Sequence, residues 1–369
     1  MKKILFYGSS FVPEKGGIER YNYTLSGILI HLGYKVEIVS LNDSNFELDQ
    51  NYNHSELKKD ILFEGFERRI KSSIFRFLAK IFNSDIVLIG HRNFLPLVFL
   101  VKLLSPWKPI IMNAHGIEIW YEQKWFYKFC SRFVDQVWAV SRYTVDKFKT
   151  NFNDSVPVRL IPNTLPERFY RNQELNISNK HDEVEIRFLS VCRLVKSENY
   201  KGVDFSLSAL NLLHSQKRID KFSYCIVAKG DDVDRHKLMI ENYEWKNQVE
   251  FKSDLTDDEL KKMYTESQIF LLPSTCEGFG IVYLEAMSNG CVCLGSNSGG
   301  VNDVIEHLKT GYLVEKPISE ENVAEGIYYL MNRKIRKEFA QNSYLKLNEF
   351  TEETVSSEYE KALENIQDN

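Results

Sequence analysis

The stretch Leu271–Gly290, LLPSTCEGFGIVYLEAMSNG, holds a complete folding unit. A short apolar run ends at Leu272, and Pro273, which cannot donate to a sheet ladder, stops it. Ser274 and Thr275 carry hydroxyls of the kind that cap helices. Gly278 and Gly280 flank Phe279, and Ile281–Asn289 then reads as a helix. Gly290 stands just past its end, where left-handed backbone is common. Strand, glycine-containing loop and helix, in that order, make half of a βαβ crossover, and such units build parallel sheets covered by helices.

The same alternation extends in both directions. Apolar runs at Lys3–Tyr7, Lys35–Ser40, Ile86–Ile89, Pro109–Asn113, Gln136–Val140 and Val158–Ile161 form a first series of strands. A second runs through Ile186–Val191, Phe222–Ala228, Val249–Phe251, Ile269–Leu272, Val292–Gly295 and Tyr312–Val314. Helical patterns lie between them, among them Ile18–Leu32, Trp125–Phe133, Val203–His214 and Asp257–Glu266. The runs are apolar throughout rather than alternating, as in strands buried on both faces. Pro166–Asp182, PERFYRNQELNISNKHD, is polar and without period, which suits a linker. A chain of 369 residues also exceeds one core, since domains run to about 100–200 residues. The expected fold is α/β: two tandem Rossmann-like domains, residues 1–165 and 183–351, with parallel sheets facing across a cleft. Ligands of such sheets lie outside the carboxyl ends of the strands.

Composition narrows the function. The chain is 43% apolar and 27% charged, with a formal net charge of −4, so it has no global nucleic-acid footprint. The opening MKKILFYGSS has an apolar run only from Ile4 to Tyr7, shorter than the roughly 7–15 residues of a signal core. Phe94–Leu104 is interrupted by Pro96 and Lys102 and falls short of the ~18 residues that span a bilayer. Cys130, Cys192, Cys225, Cys276, Cys291 and Cys293 form no C-x-x-C pair and read as reduced thiols of a cytoplasmic protein.

A helix entered through small residues offers backbone amides and a dipole to a diphosphate. Glu277 precedes that helix and Glu285 lies two turns into it. A carboxylate beside an anion site makes sense as a partner for flanking hydroxyls, Glu277 for a transferred sugar and Glu285 for a ribose. A capped helix with two solvated glutamates satisfies the spacing equally well. With its neighbours, however, E-G-F-G-I-V-Y-L-E resembles the signature of the family-4 retaining glycosyltransferases, group 1. That family has the two-Rossmann GT-B fold and uses nucleotide diphosphate sugars.

Other segments agree in order. Gly16-Gly17-Ile18-Glu19-Arg20 resembles the family's N-terminal glycine loop. His115-Gly116-Ile117-Glu118 is similar to H-G-x-D, with Glu118 for Asp. Ser141 lies in an A-V-S segment, Pro162-Asn163-Thr164 is similar to P-N-G, and Gly299-Gly300-Val301-Asn302-Asp303 to G-G-x-x-E. The resemblance covers nearly the whole chain. It implies catalytic roles for Glu277, Arg193, Lys201 and His115. It implies donor contacts from Gly16, Gly17, Gly278, Phe279, Gly280, Ile281 and Glu285. Arg193 and Lys201 match G-R…K-G within SVCRLVKSENYKG, where Cys192 replaces Gly and Lys196 competes for the role of Lys201. Two cations there would neutralise the departing diphosphate. The resemblance further implies retention of configuration, no cofactor, no metal, and a C-terminal helix, within 352–369, packing back on the first domain.

Asp232-Val233-Asp234 matches the D-x-D pattern of a metal-dependent glycosyltransferase fold, but acids at a helix start also suit its dipole. Arg68–Phe82, RRIKSSIFRFLAKIF, has five basic and no acidic residues, with Ile70, Ile74, Phe77, Leu78 and Ile81 at helical spacing. It fits a helix lying on an anionic membrane, placing the protein on the inner face, and equally one packed on the sheet. Trp120, Tyr121, Trp125, Phe126 and Tyr127 suit either sugar stacking or core packing. The expected partners are a nucleotide-sugar donor and a glycan or lipid-linked acceptor. Rival readings are a GT-B epimerase or phosphorylase, or a non-catalytic sugar-nucleotide-binding partner of another transferase.

Overall fold

The computed structural model describes residues 1–52, 60–166, 169, 180–182, 185–198 and 200–367. Most of the expected linker, 166–182, lies outside them. The chain divides into two compact units: Met1–Asn163 with Glu352–Asn369, and Thr164–Thr351.

Unit 1 is built on β1 (Lys3–Gly8), β2 (Lys35–Ser40), β3 (Ile61–Gly65), β4 (Ile86–Ile89), β5 (Ile110–Ala114), β6 (Gln136–Ala139) and β7 (Val158–Leu160). All neighbours pair in parallel, in the order β3-β2-β1-β4-β5-β6-β7. Its helices are α1 (Gly17–His31), α2 (Asn45–Tyr52), α3 (Ile70–Lys80), α4 (Leu95–Leu104), α5 (Ile117–Trp120), α6 (Trp125–Ser131) and α7 (Arg142–Asn151). Every residue of β4, β5 and β6 is buried, which explains their unbroken apolar runs. The edge strand β3 did not stand out in the sequence. Its ILFEG segment leaves Leu62 exposed and Glu64 half-buried, so its pattern is mixed.

Unit 2 contains β8 (Ile186–Arg193), β9 (Phe222–Lys229), β10 (Val249–Lys252), β11 (Ile269–Leu271), β12 (Val292–Ser296) and β13 (Gly311–Val314), ordered β10-β9-β8-β11-β12-β13 and all parallel. Its helices are α8 (Val203–Ser215), α9 (Val233–Ile240), α10 (Asp257–Glu266), α11 (Ile281–Ser288), α12 (Val301–Val304), α13 (Glu320–Leu330) and α14 (Arg333–Lys346). In α8, Val203, Leu207, Leu210 and Leu213 recur on one face and enter the core with Phe188, Tyr224, Leu294 and Ile327. Thr256 and Glu259 form a capping box that fixes the start of α10. The chain ends in α15 (Glu352–Gln367), which clusters with unit 1. There the Tyr359 hydroxyl bonds that of Tyr21 at 2.9 Å, and its ring meets Trp138 at 4.9 Å.

In both sheets the first strand lies between its successor and a later strand, so successive connections turn in opposite directions from it. The crevices at β1/β4 and β8/β11 are therefore topological switch points, where ligands of such sheets bind.

Candidate active site

In unit 2, three strand-to-helix loops converge at the carboxyl end of the sheet. The loop after β11 is stitched to the loop after β8: the Thr275 amide and the Ser274 hydroxyl both donate to the Tyr200 carbonyl, at 2.8 and 2.9 Å. On its other side the Gly300 amide donates to the Glu277 carbonyl at 2.8 Å, and the Ser298 hydroxyl to Thr275 at 2.5 Å. Gly202 makes the first stitch feasible. Its φ is +76°, and a Cβ there would stand 2.2 Å from the Pro273 carbonyl oxygen. Gly280, at φ +94°, is the N-cap of α11, and a Cβ there would strike the Tyr283 ring.

This stitching brings together residues 76 positions apart: Lys201 Nζ donates to Glu277 Oε2 at 2.9 Å, both side chains largely buried. Burial works against the ammonium, but the Glu277 carboxylate, with Tyr200 and Cys192, outweighs it and raises the Lys201 pKa above the ordinary lysine value. Lys196, the other lysine of the loop, is exposed. Arg193, delivered by the last residue of β8, pairs with Glu198 within the same loop. Burial, opposed by Lys201, pushes the Cys192 thiol up to about 12, so it stays protonated.

The remaining donor candidates divide by exposure. Gly278 and Ile281 are half-buried at the mouth of α11, whereas Phe279 is buried and packs edge-on against Phe350 at 5.8 Å. Glu285 is buried too and accepts from the Tyr264 hydroxyl at 3.0 Å. The two acids of the D-x-D pattern part company: Asp232 is buried and paired with Arg235 at 2.7 Å, while Asp234 is 91% exposed. Among the described residues, no group of three His, Cys, Asp or Glu is placed to hold a metal.

In unit 1, Gly16 and Gly17 open α1 after β1. His115 follows β5, and its Nε2 lies 2.8 Å from the Gly90 carbonyl oxygen. Glu118 accepts from the His115 and Gly116 amides at 2.6 and 3.2 Å, so its longer side chain folds back on its own loop. The Tyr21 ring abuts His115 at 4.8 Å. Two residues here had no signature in the sequence. His91, after β4, stacks on His115 at 6.4 Å and accepts from the Asn93 amide through Nδ1 at 3.1 Å. Burial holds its pKa down at about 4, against the pull of Glu118, so the ring is neutral near pH 7. Asp43, three residues past β2, is buried and accepts from the Phe11 amide, the Ser40 hydroxyl and Lys15, at 2.7, 2.8 and 2.9 Å. It pins the loop that leads to the glycines. Ser141 is the N-cap of α7, accepting from Thr144 at 3.2 Å.

Two family models match consecutive parts of the chain: Glycosyltransferase Family 4 over residues 15–167, and Glycosyl transferases group 1 over residues 172–346. The chain belongs to the family-4, group 1 glycosyltransferases. An uncharacterized glycosyltransferase of Haemophilus influenzae is 27% identical over 98% of this chain and 100% of its own length. A GDP-mannose-dependent alpha-(1-6)-phosphatidylinositol monomannoside mannosyltransferase of Mycobacterium tuberculosis is 27% identical, covering 53% of this chain and 52% of that protein. Among solved structures, Anabaena Alr3699/HepE in complex with UDP and glucose aligns over 99% of this glycosyltransferase and 100% of that chain, with a TM-score of 0.78 at 18% identity. Both sheets thus belong to a GT-B fold.

Proposed function

We propose that this glycosyltransferase moves a hexose-type sugar from a nucleotide diphosphate sugar to a glycan or lipid-linked acceptor, with retention of configuration. The Lys201–Glu277 pair at the β8/β11 switch point carries the reading. A cation suited to a diphosphate beside a carboxylate suited to sugar hydroxyls, at the mouth of a helix whose dipole favours the same anion, supports it. The leaving diphosphate gains charge in the transition state, so Lys201 and Arg193 stabilise that state more than the ground state. These two cations do the work of a divalent metal. Glu277 orients the sugar, Glu285 holds the ribose with Tyr264 behind it, and Gly278, Gly280 and Ile281 let the phosphates approach the backbone. His115 offers an imidazole to a hydroxyl of sugar or acceptor. The Mycobacterium tuberculosis relative, a phosphatidylinositol monomannoside mannosyltransferase, favours a lipid-linked acceptor.

A panel of UDP- and GDP-sugars, read by thermal shift and by release of nucleoside diphosphate, tests the proposal. One donor should stabilise the protein and be consumed, with turnover unchanged by EDTA and an α-linked product from an α-linked donor. If no donor binds, the site assignment falls. Binding without release would make the chain a non-catalytic partner, and inversion would overturn the mechanism.

A further inference from the structure

We infer that one whole helical layer of unit 1, formed by α3, α4 and α6, docks on an anionic lipid surface. The three helices share a face of the sheet. The Tyr7 ring contacts Phe77 of α3 at 4.8 Å and Phe94, which precedes α4, at 4.6 Å. Phe99 of α4 meets Phe129 of α6 at 5.9 Å. Toward solvent, this layer presents Phe75, Phe82, Leu103, Trp107, Trp125 and Phe126. Trp107 and Trp125 are each 76% exposed, rare for so large an apolar group on a surface facing only water. By contrast, Phe46 is the one exposed large apolar side chain among the described residues of α1, α2 and α15.

The charge of the layer is as one-sided as its hydropathy. Segments 68–82, 95–108 and 121–135 hold ten lysines and arginines against two acids, in a chain of net charge −4. Some of these cations are committed within the protein: Lys80 pairs with Glu37 and Glu64, Arg76 with Glu64, and Lys102 with Asp135. Arg68, Lys71, Lys124 and Arg132, in the same segments as the exposed aromatic side chains, are exposed as well. Exposed aromatic and aliphatic groups together with an excess of cations are the composition of an interfacial membrane surface. A second copy docking through the same face would set like charges together, which disfavours a symmetric dimer.

Segment 68–82 alone is therefore not the lipid contact: Ser73, Phe77 and Ile81 turn inward, and the exposed surface continues through α4 to α6. No helix among the described residues is long and apolar enough to cross a membrane, so the layer lies on the surface rather than within it.

The built-in tryptophans give the test. Trp120, Trp138 and Trp245 are buried, so emission changes on vesicle addition report Trp107 and Trp125. With the full chain, phosphatidylcholine vesicles containing phosphatidylglycerol should shift emission to the blue and carry the protein in flotation. Phosphatidylcholine alone should do neither. Trp107→Ser with Trp125→Ser should abolish flotation without changing the melting temperature, because both side chains are exposed. Lys124→Glu and Arg132→Glu should each weaken partitioning by more than about fivefold, the loss expected for removing a single cation. Equal binding to both vesicles, no binding to either, or full binding by the charge-reversed variants would overturn the inference. So would a vesicle-free dimer that Trp107→Ser dissolves, because the face would then join two copies.

Discussion

The two switch-point crevices have opposite chemistry on nearly the same scaffold. In unit 2 the β8/β11 crevice holds full charges, with Lys201 on Glu277 and Arg193 on Glu198. In unit 1 the loops after β1, β4 and β5, with the start of α1, offer two glycines, a tyrosine ring and two stacked imidazoles, of which His91 is neutral near pH 7, while the Glu118 carboxylate is turned onto its own loop. The strands differ little, so the contrast comes from the loops. On the proposed reading, the charged crevice is the one that meets the phosphate leaving group, and the imidazole crevice the one that selects hydroxyls. A fold supplies the crevice, and side chains on the loops decide what it can do.

The sharpest way to break the contrast is to remove one member from each side. Lys201→Ala should lower kcat by about 10²–10³-fold, the cost of losing one group aimed at developing charge. His115→Ala should cost about tenfold, the loss of one hydrogen bond of about 1.4 kcal/mol, and should leave nucleoside diphosphate affinity unchanged. Single-turnover kinetics and calorimetry of both variants decide it. A greater loss of kcat in His115→Ala would reverse the assignment of the two crevices.

A smaller effect sharpens the reading of unit 2. The carboxylate of Glu198 occupies the guanidinium that the proposal gives to the diphosphate. Glu198→Gln should free it and tighten nucleoside diphosphate binding by up to about fivefold, since Arg193 is 60% exposed and such pairs contribute at most ~1 kcal/mol. Unchanged affinity in calorimetry would mean that the pair opens at no cost, or that Arg193 does not meet the phosphates.

The smallest effect concerns pH and belongs to unit 1. The folded state keeps His91 neutral, with a pKa near 4, while the unfolded chain takes up the proton near the ordinary 6.5. Its contribution is therefore complete above about pH 6.5 and is lost as pH falls from there toward 4. Between pH 7 and 5 the wild type should lose on the order of 1–2 kcal/mol more stability than His91→Gln. The Lys201 ammonium remains charged throughout that window. Parallel melting curves for the two proteins would remove His91 from the account.

How much of this was readable in the sequence follows from what each residue depends on. Core strands such as β4 and β12 were legible because burial on both faces leaves an unbroken apolar run. The edge strand β3, open on one side, carries a mixed pattern and was missed. Glu277 and Lys201 stood in motifs, but their pairing depends on backbone stitches between two loops, which no local pattern records. Glu198 looked like one more charge in a loop. Asp43 lies beyond its strand and serves residues some thirty positions earlier, such as Phe11, so periodicity could not reveal it. His91 followed a strand end without a motif, and only the sheet order sets it beside His115.

The place of α15 has a consequence for how the protein is made. Unit 1 is discontinuous in the chain: its sheet is finished by Leu160, yet α15, which meets Tyr21 and Trp138, is encoded after all of unit 2. On the ribosome those two aromatic side chains wait for their partner through the synthesis of an entire second unit. At roughly 5–20 residues per second that is on the order of ten to forty seconds. The first unit to begin folding is thus the last to be completed.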